Sequence, residues 1–180
     1  MDTSGSAFLA NYQFLARYNT WFNERLYDAC EKLPDEERRR DRGAFFHSIH
    51  GSLNHIVWAD RLWLRRFAVQ DVSFASLTPE VLVLPDGARH ETHLHEGWTD
   101  LRQARAALDA AIKTWVRDMP QDFPVRTMRY ANTKGVRREH PMWQALTHFF
   151  NHQTHHRGQI TTLLSQAGVD VGMTDLIALV

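Results

Sequence analysis

Apolar residues recur at every third or fourth position over residues 6–32, where Phe8, Tyr12, Leu15, Tyr18, Phe22 and Leu26 share one face and Pro34 follows. That spacing predicts an amphipathic helix with a stop behind it. The same period returns from about Ala44 to Gln70 through Phe45, Ile49, Leu53, Ile56, Trp63 and Phe67, giving a second long helix. Between the two, Arg38-Arg39-Arg40 is balanced by Asp35, Glu36, Glu37 and Asp41, a charge cluster expected in a solvated turn or short helix. Residues 71–96 hold Pro79, Pro85, Gly87 and three histidines, which reads as a long irregular connection. An Ala- and Leu-rich stretch from Trp98 to Met119, stopped by Pro120, supplies a third helix.

Partial alternation on either side of Gly135 suggests a two-stranded hairpin. Pro141 suits the first turn of a fourth helix running to about Ala167, with Gly168 as its C-cap. The apolar tail from Met173 to Val180 is expected to dock on the helices or on a partner subunit. The pattern as a whole predicts an all-α fold: one four-helix-bundle domain over residues 1–180, with long connections and a small β-hairpin before the last long helix. Connection lengths admit a crossover topology, and the order of the connections stays open.

Composition narrows the function. The chain of 180 residues has 21 basic and 21 acidic side chains, a formal net charge of zero, so it lacks the electrostatic footprint of a nucleic-acid or polybasic membrane binder. Every long apolar run is interrupted by charge, which excludes a membrane span. The start, Met1-Asp2-Thr3-Ser4-Gly5-Ser6, has neither the basic nor the apolar region of a signal peptide. A lone cysteine, Cys30, rules out an internal disulfide and any CxxC metal site; it is expected to be an unreactive free thiol. These features suit a cytoplasmic protein.

Histidine changes the picture. The eleven histidines fall into three groups: His47, His50 and His55; His90, His93 and His95; and His140, His148, His152, His155 and His156. On the fourth helix, with His148 as origin, His152 lies at about 40° and His156 at about 80°, while the apolar stripe centres near about 110°. His156 therefore falls inside the buried stripe and His152 on its edge, and His148 and His155 turn outward. Burying imidazole without a partner costs roughly 1–3 kcal/mol, whereas two rings one turn apart can chelate a cation such as Zn²⁺, Ni²⁺, Fe²⁺ or Cu²⁺.

A second helix must complete such a site. On the second helix the wheel leans to His55, on a strip with Ser48, Ser52 and Ala59, without settling the choice against His47 or His50. No ExxH pair and no HExxH occur, which argues against a di-iron carboxylate bundle and a zincin protease. Three histidines without a carboxylate would leave a coordination position open, as at catalytic zinc. Asp60 lies on the apolar side of its helix, where a buried carboxylate needs an Arg or a helix terminus as partner. Arg157 is expected at the surface or in a dimer contact, and the 90–95 histidines in a solvated loop.

The string Asn151-His-Gln-Thr-His-His-Arg-Gly-Gln159, followed by Leu163-Leu-Ser-Gln-Ala-Gly168, resembles the C-terminal signature of the DinB family, within the DinB/YfiT-like superfamily of metal-dependent proteins. The second helix resembles the same family over Ser48 to Phe67, through Leu53-Asn-His-Ile56; Tyr18 to Asn23 and Thr174-Asp-Leu176 also fit. The resemblance implies a four-helix bundle, commonly a homodimer, with one divalent metal on His55, His152 and His156. Zinc or nickel is the first expectation, iron or manganese the next. It further implies a metal-dependent enzyme, a transferase using a low-molecular-weight thiol such as bacillithiol, mycothiol or glutathione, with no nucleic-acid or membrane partner. The alternative is a non-catalytic metal-binding stress-response protein. His148, Asn151 and Gln159 are candidates for orienting the ligands from behind; no catalytic residue is assigned.

Overall fold

The computed structural model describes residues 4–180. The order of elements is α1 (Ser4–Glu31), α2 (Asp35–Arg39), α3 (Ile49–Ala68), α4 (Trp98–Arg117), β1 (Thr127–Ala131), β2 (Arg137–Pro141) and α5 (Met142–Gln166). Short 3-10 turns lie at Phe123–Val125 and Leu176–Leu179. The long helices form a four-membered ring in which α1 packs on α4 and α5, and α3 packs on the same two. Thus α1 faces α3 across one diagonal and α4 faces α5 across the other. The chain crosses the bundle twice, through 32–48 and through 118–141, which is the crossover topology the long connections allowed. The strands pair antiparallel, Thr127 opposite Pro141 and Ala131 opposite Arg137. Among the described residues no helix is long and apolar enough to cross a membrane.

Two boundaries differ from the sequence reading, each for a local reason. The second long helix begins at Ile49, not near Ala44. His47 adopts a left-handed φ of 62°, a conformation that non-glycine residues take at a cost, inside a tight turn closed by Ala44 and His47. Ser48 then caps the helix, its Oγ accepting from the Gly51 amide at 3.0 Å. As a result Phe45 leaves the apolar stripe and is 70% exposed, while Phe46 turns inward. The charge cluster forms α2, and Arg38 is buried, not solvated. Its guanidinium donates to the carbonyls of Cys30 and Leu33 and lies over the Trp98 ring, 4.4 Å from the centroid. The tail docks through Leu176 and Leu179, with Tyr18 donating to the Thr174 carbonyl at 2.6 Å, and leaves Ile177 and Val180 outward.

A balanced set of buried charges ties the four long helices together. Arg105 on α4 donates to Asp60 on α3 at 2.6 Å and to Asp109 at 2.9 Å. Asp60 also accepts from Gln153 on α5 at 2.9 Å, and Asp109 accepts from Asn19 and Asn23 on α1. Arg157, expected at the surface, is 1% exposed; it donates to Asn19 and lies over the Tyr18 and Phe22 rings. Burial pushes both carboxyls upward, with Arg105 opposing the shift. It pulls Arg157 down to about 10.

Removing one member of a buried ion pair typically costs about 3–5 kcal/mol, because the partner charge stays behind. Arg105→Met is therefore expected to lower the unfolding free energy by about that amount. Arg129→Ala, which breaks the exposed Arg129–Glu139 pair, should cost under about 1 kcal/mol. Urea unfolding of both variants beside the parent checks the contrast, and equal losses would mean that the buried charges do not brace the helices.

Candidate metal centre

His55 enters from the middle of α3, and His152 and His156 from successive turns of α5. The Nε2 atoms of His55 and His152 are 3.3 Å apart, and those of His152 and His156 are 3.1 Å apart. The three rings offer one ligand atom each, all within 4.8 Å of one another. The helices run antiparallel here: Trp63, further along α3, meets His148, earlier on α5. His55 and His156 are buried and His152 is half-buried.

Neighbouring groups fix which nitrogen carries the proton. His55 Nδ1 lies 3.0 Å from the His90 carbonyl oxygen, which can only accept, so Nδ1 is the N–H and Nε2 keeps its lone pair. His156 Nδ1 lies 2.8 Å from Gln159 Oε1, and Gln159 Nε2 is turned to His155, which gives His156 the same tautomer. Two bare lone pairs therefore face His152 Nε2, and that nitrogen has at most one proton to share. A tetrahedral cation with metal–nitrogen bonds of about 2.0–2.1 Å has nitrogen–nitrogen edges of roughly 3.3–3.4 Å, close to the separations found. The donor set fits a cation, and the group could hold a metal ion.

Electrostatics favours the same state. Burial pulls His55 down to about 4, with the His90 carbonyl opposing. Burial and then the neighbouring imidazoles pull His152 down to about 3. His156 is lowered too, chiefly by burial. All three rings are neutral near pH 7, the form that binds metal. Phe46 stacks on His55 with ring centroids 3.8 Å apart and meets His156 edge-on at 5.6 Å, so an aromatic wall closes one side. Gly51 permits this wall, because a Cβ there would collide with the Phe46 carbonyl oxygen.

The other candidates fall in different places. Gln159 holds His156 directly. His148 is exposed and packs on Trp63, its ring centroid 5.8 Å from that of His152, and Asn151 is exposed without a hydrogen bond to the triad. His47 lies in the turn before α3, and His50 is held by the His95 carbonyl at 3.0 Å. The 71–97 connection folds back over α3: Asn54 accepts from the His95 amide at 2.9 Å and donates to the His95 carbonyl at 3.1 Å. Its part in orienting His55 comes from a backbone carbonyl, which no sequence pattern marks. His50, His93 and Glu96 form a second group of possible donors, but Arg39 already holds Glu96 at 3.1 Å. Cys30 is buried, and burial pushes its thiol up to about 12, which suits an inert side chain.

These shifts give a pH dependence. Between about pH 6.5 and 4 the unfolded chain takes up protons on His55 and His152 that the folded chain does not, so metal-free stability falls as the pH drops through that window. His152→Ala removes the most depressed of these rings, and its melting temperature should fall less steeply between pH 7.5 and 4.5 than that of the parent. Parallel pH profiles of the two metal-free proteins would refute the neutral, buried triad.

A profile of the DinB family matches residues 3–179. The chain is 24% identical to Protein DinB of Bacillus subtilis (strain 168) over 162 residues, 89% of this chain and 88% of that relative. No solved structure matches significantly. With its profile match spanning nearly the whole sequence, the chain belongs to the DinB family.

Proposed function

We propose that this protein holds one divalent transition-metal ion on His55, His152 and His156 and uses it to activate a small thiol for transfer to an electrophile. The observation that carries the reading is the convergence of three Nε2 atoms, two of them fixed as lone-pair donors, with no carboxylate in the group. A divalent cation with a vacant position supplies Lewis acidity, lowering the pKa of a bound thiol or water. Zinc and nickel suit three imidazoles best; iron and manganese are the next choices.

The residues of the chain then have separable tasks. The His90 carbonyl and Gln159 aim His55 and His156. Phe46 keeps water from one side of the rings, which strengthens electrostatic interactions there. His152, the most open of the three, marks the side from which a co-substrate would approach. The thiol sulfur attacks the electrophilic carbon, its proton passes to solvent, and the leaving group departs with the bonding pair. A homodimer, as implied by the family resemblance, is part of the same proposal. The aromatic cover over His55 is the observation that favours the second reading, a metal-binding protein without catalysis.

Elemental analysis of the purified parent should find about one equivalent of transition metal, with most of it lost in His152→Ala and in His156→Ala. Full retention in both variants would remove the ligand assignment. A conjugation screen with glutathione, bacillithiol or mycothiol and a panel of electrophiles, run on the metal-loaded parent, separates the two readings. Metal-dependent turnover supports the transferase; stoichiometric metal with no turnover supports the non-catalytic protein.

A further inference from the structure

A cavity of about 850 Å³ opens beside the triad between α3, the 84–90 segment and the hairpin. Its size lies within the range of small-molecule sites. None of the three triad histidines lines it, yet two ring contacts connect it to them. Trp58, on its wall, stacks against His55 with centroids 6.0 Å apart. Trp63, also on its wall, meets His148 at 4.9 Å, and His148 in turn meets His152 at 5.8 Å.

The charged side chains lining this cavity are mostly basic. Several arginines of the molecule hold carboxylates, among them Arg39, Arg102, Arg105, Arg126 and Arg129. Arg65, Arg66 and Arg89 line the cavity, and among the described residues none of them pairs with a carboxylate. Asp86 is the one carboxylate in the lining. Arg66 is half-buried, its guanidinium lying 4.6 Å from the Trp63 centroid and 4.9 Å from that of Tyr130. Both rings therefore hold the group in place, while its side-chain donors have no acceptor among the described residues. Burial also pulls its pKa down, the mark of a cation that has lost water without gaining a counter-charge. A planar guanidinium fixed on aromatic faces is suited to receiving a carboxylate or phosphate two-pronged.

We infer that this cavity binds a small organic anion, its carboxylate or phosphate received by Arg66 and a flat apolar body laid along Trp58 and Trp63. The role of this anion, as the acid-bearing part of the thiol or of the electrophile, rests on the metal-dependent reading of the triad; its binding does not. The two fail separately, because the cavity has no residue in common with the three histidines.

Isothermal titration of benzoate, phenyl phosphate, inorganic phosphate and benzyl alcohol tests the inference on the metal-loaded parent, the chelator-stripped parent, Arg66→Gln and Arg66→Lys. Benzoate and phenyl phosphate should bind the loaded and stripped parent alike, and Arg66→Gln should weaken both by roughly tenfold or more. Arg66→Lys should recover only part, as it keeps the charge and loses the fork. Benzyl alcohol should bind at least tenfold more weakly than benzoate. Anion binding that vanishes on stripping and ignores Arg66→Gln would place the anion on the metal and overturn the inference. Equal affinity for benzoate and benzyl alcohol, or for phenyl phosphate and inorganic phosphate, would overturn the acid anchor or the apolar shelf respectively. Should benzoate bind and respond to Arg66→Gln in a protein that carries no metal as purified, the anion site stands while the metal reading falls. Comparing KM for glutathione with KM for an acid-bearing electrophile in Arg66→Gln identifies which co-substrate carries the anchored group.

Discussion

The hydrogen bond between Asp60 and Gln153, held from the other side by Arg105, fixes how α3 and α5 lie against each other. Gln153 is the residue after His152, and Asp60 lies five residues beyond His55. A helix advances about 1.5 Å per residue, so a slip of one turn between the two helices would carry the imidazoles several ångströms apart. Apolar packing tolerates such sliding better than a buried ion pair does, because a hydrophobic contact is non-directional and a charge left unpaired is costly. The polar set in the core thus acts as a register pin, and the three-histidine centre is built directly beside it.

The same division between direction and bulk runs through the site. Bulk comes from Phe46, Trp58 and Trp63, which exclude water and join the triad to the neighbouring cavity. Direction comes from two acceptors, the His90 carbonyl and Gln159, that set the tautomers of His55 and His156. Neither would be effective without the other. A dry, unoriented imidazole would rotate, and an oriented one in water would hydrogen-bond to solvent. The tight turn at Ala44–His47 is what brings Phe46 onto His55, and its left-handed His47 shows that the fold accepts local backbone strain to place that ring.

Much of this was legible in the residue pattern. The spacing of apolar residues located four long helices, and Pro120, Pro141 and Gly168 marked ends within a few residues of those observed. The hairpin around Gly135 and the irregular 71–96 connection also followed from turn residues. Helical angles singled out His152 and His156, because their positions relative to the apolar stripe depend only on the helix to which both belong. Asp60 was legible as a buried acid in need of an arginine or a helix terminus, and Arg105 fills that place. Arg38 and Arg157 were misread because a charge at a given helical angle is exposed only if nothing large packs there. Trp98 covers the first, and the rings of Tyr18 and Phe22 cover the second.

The sequence by itself determined the helices, the two triad histidines carried by one of them, and the neutral balance of charge. All of these are properties of single segments or of the whole composition, for which neighbours in sequence suffice. Tertiary structure brought His55, to which the helical wheel only leaned over His50 and His47, against the α5 pair; it alone decided that α1 and α3 lie on a diagonal and that a carbonyl from a loop without regular structure steers a ring. It also decided that three arginines line a cavity without carboxylate partners. Each of these depends on which surfaces meet across the bundle, and such meetings are selected by the joint packing of groups far apart in the chain.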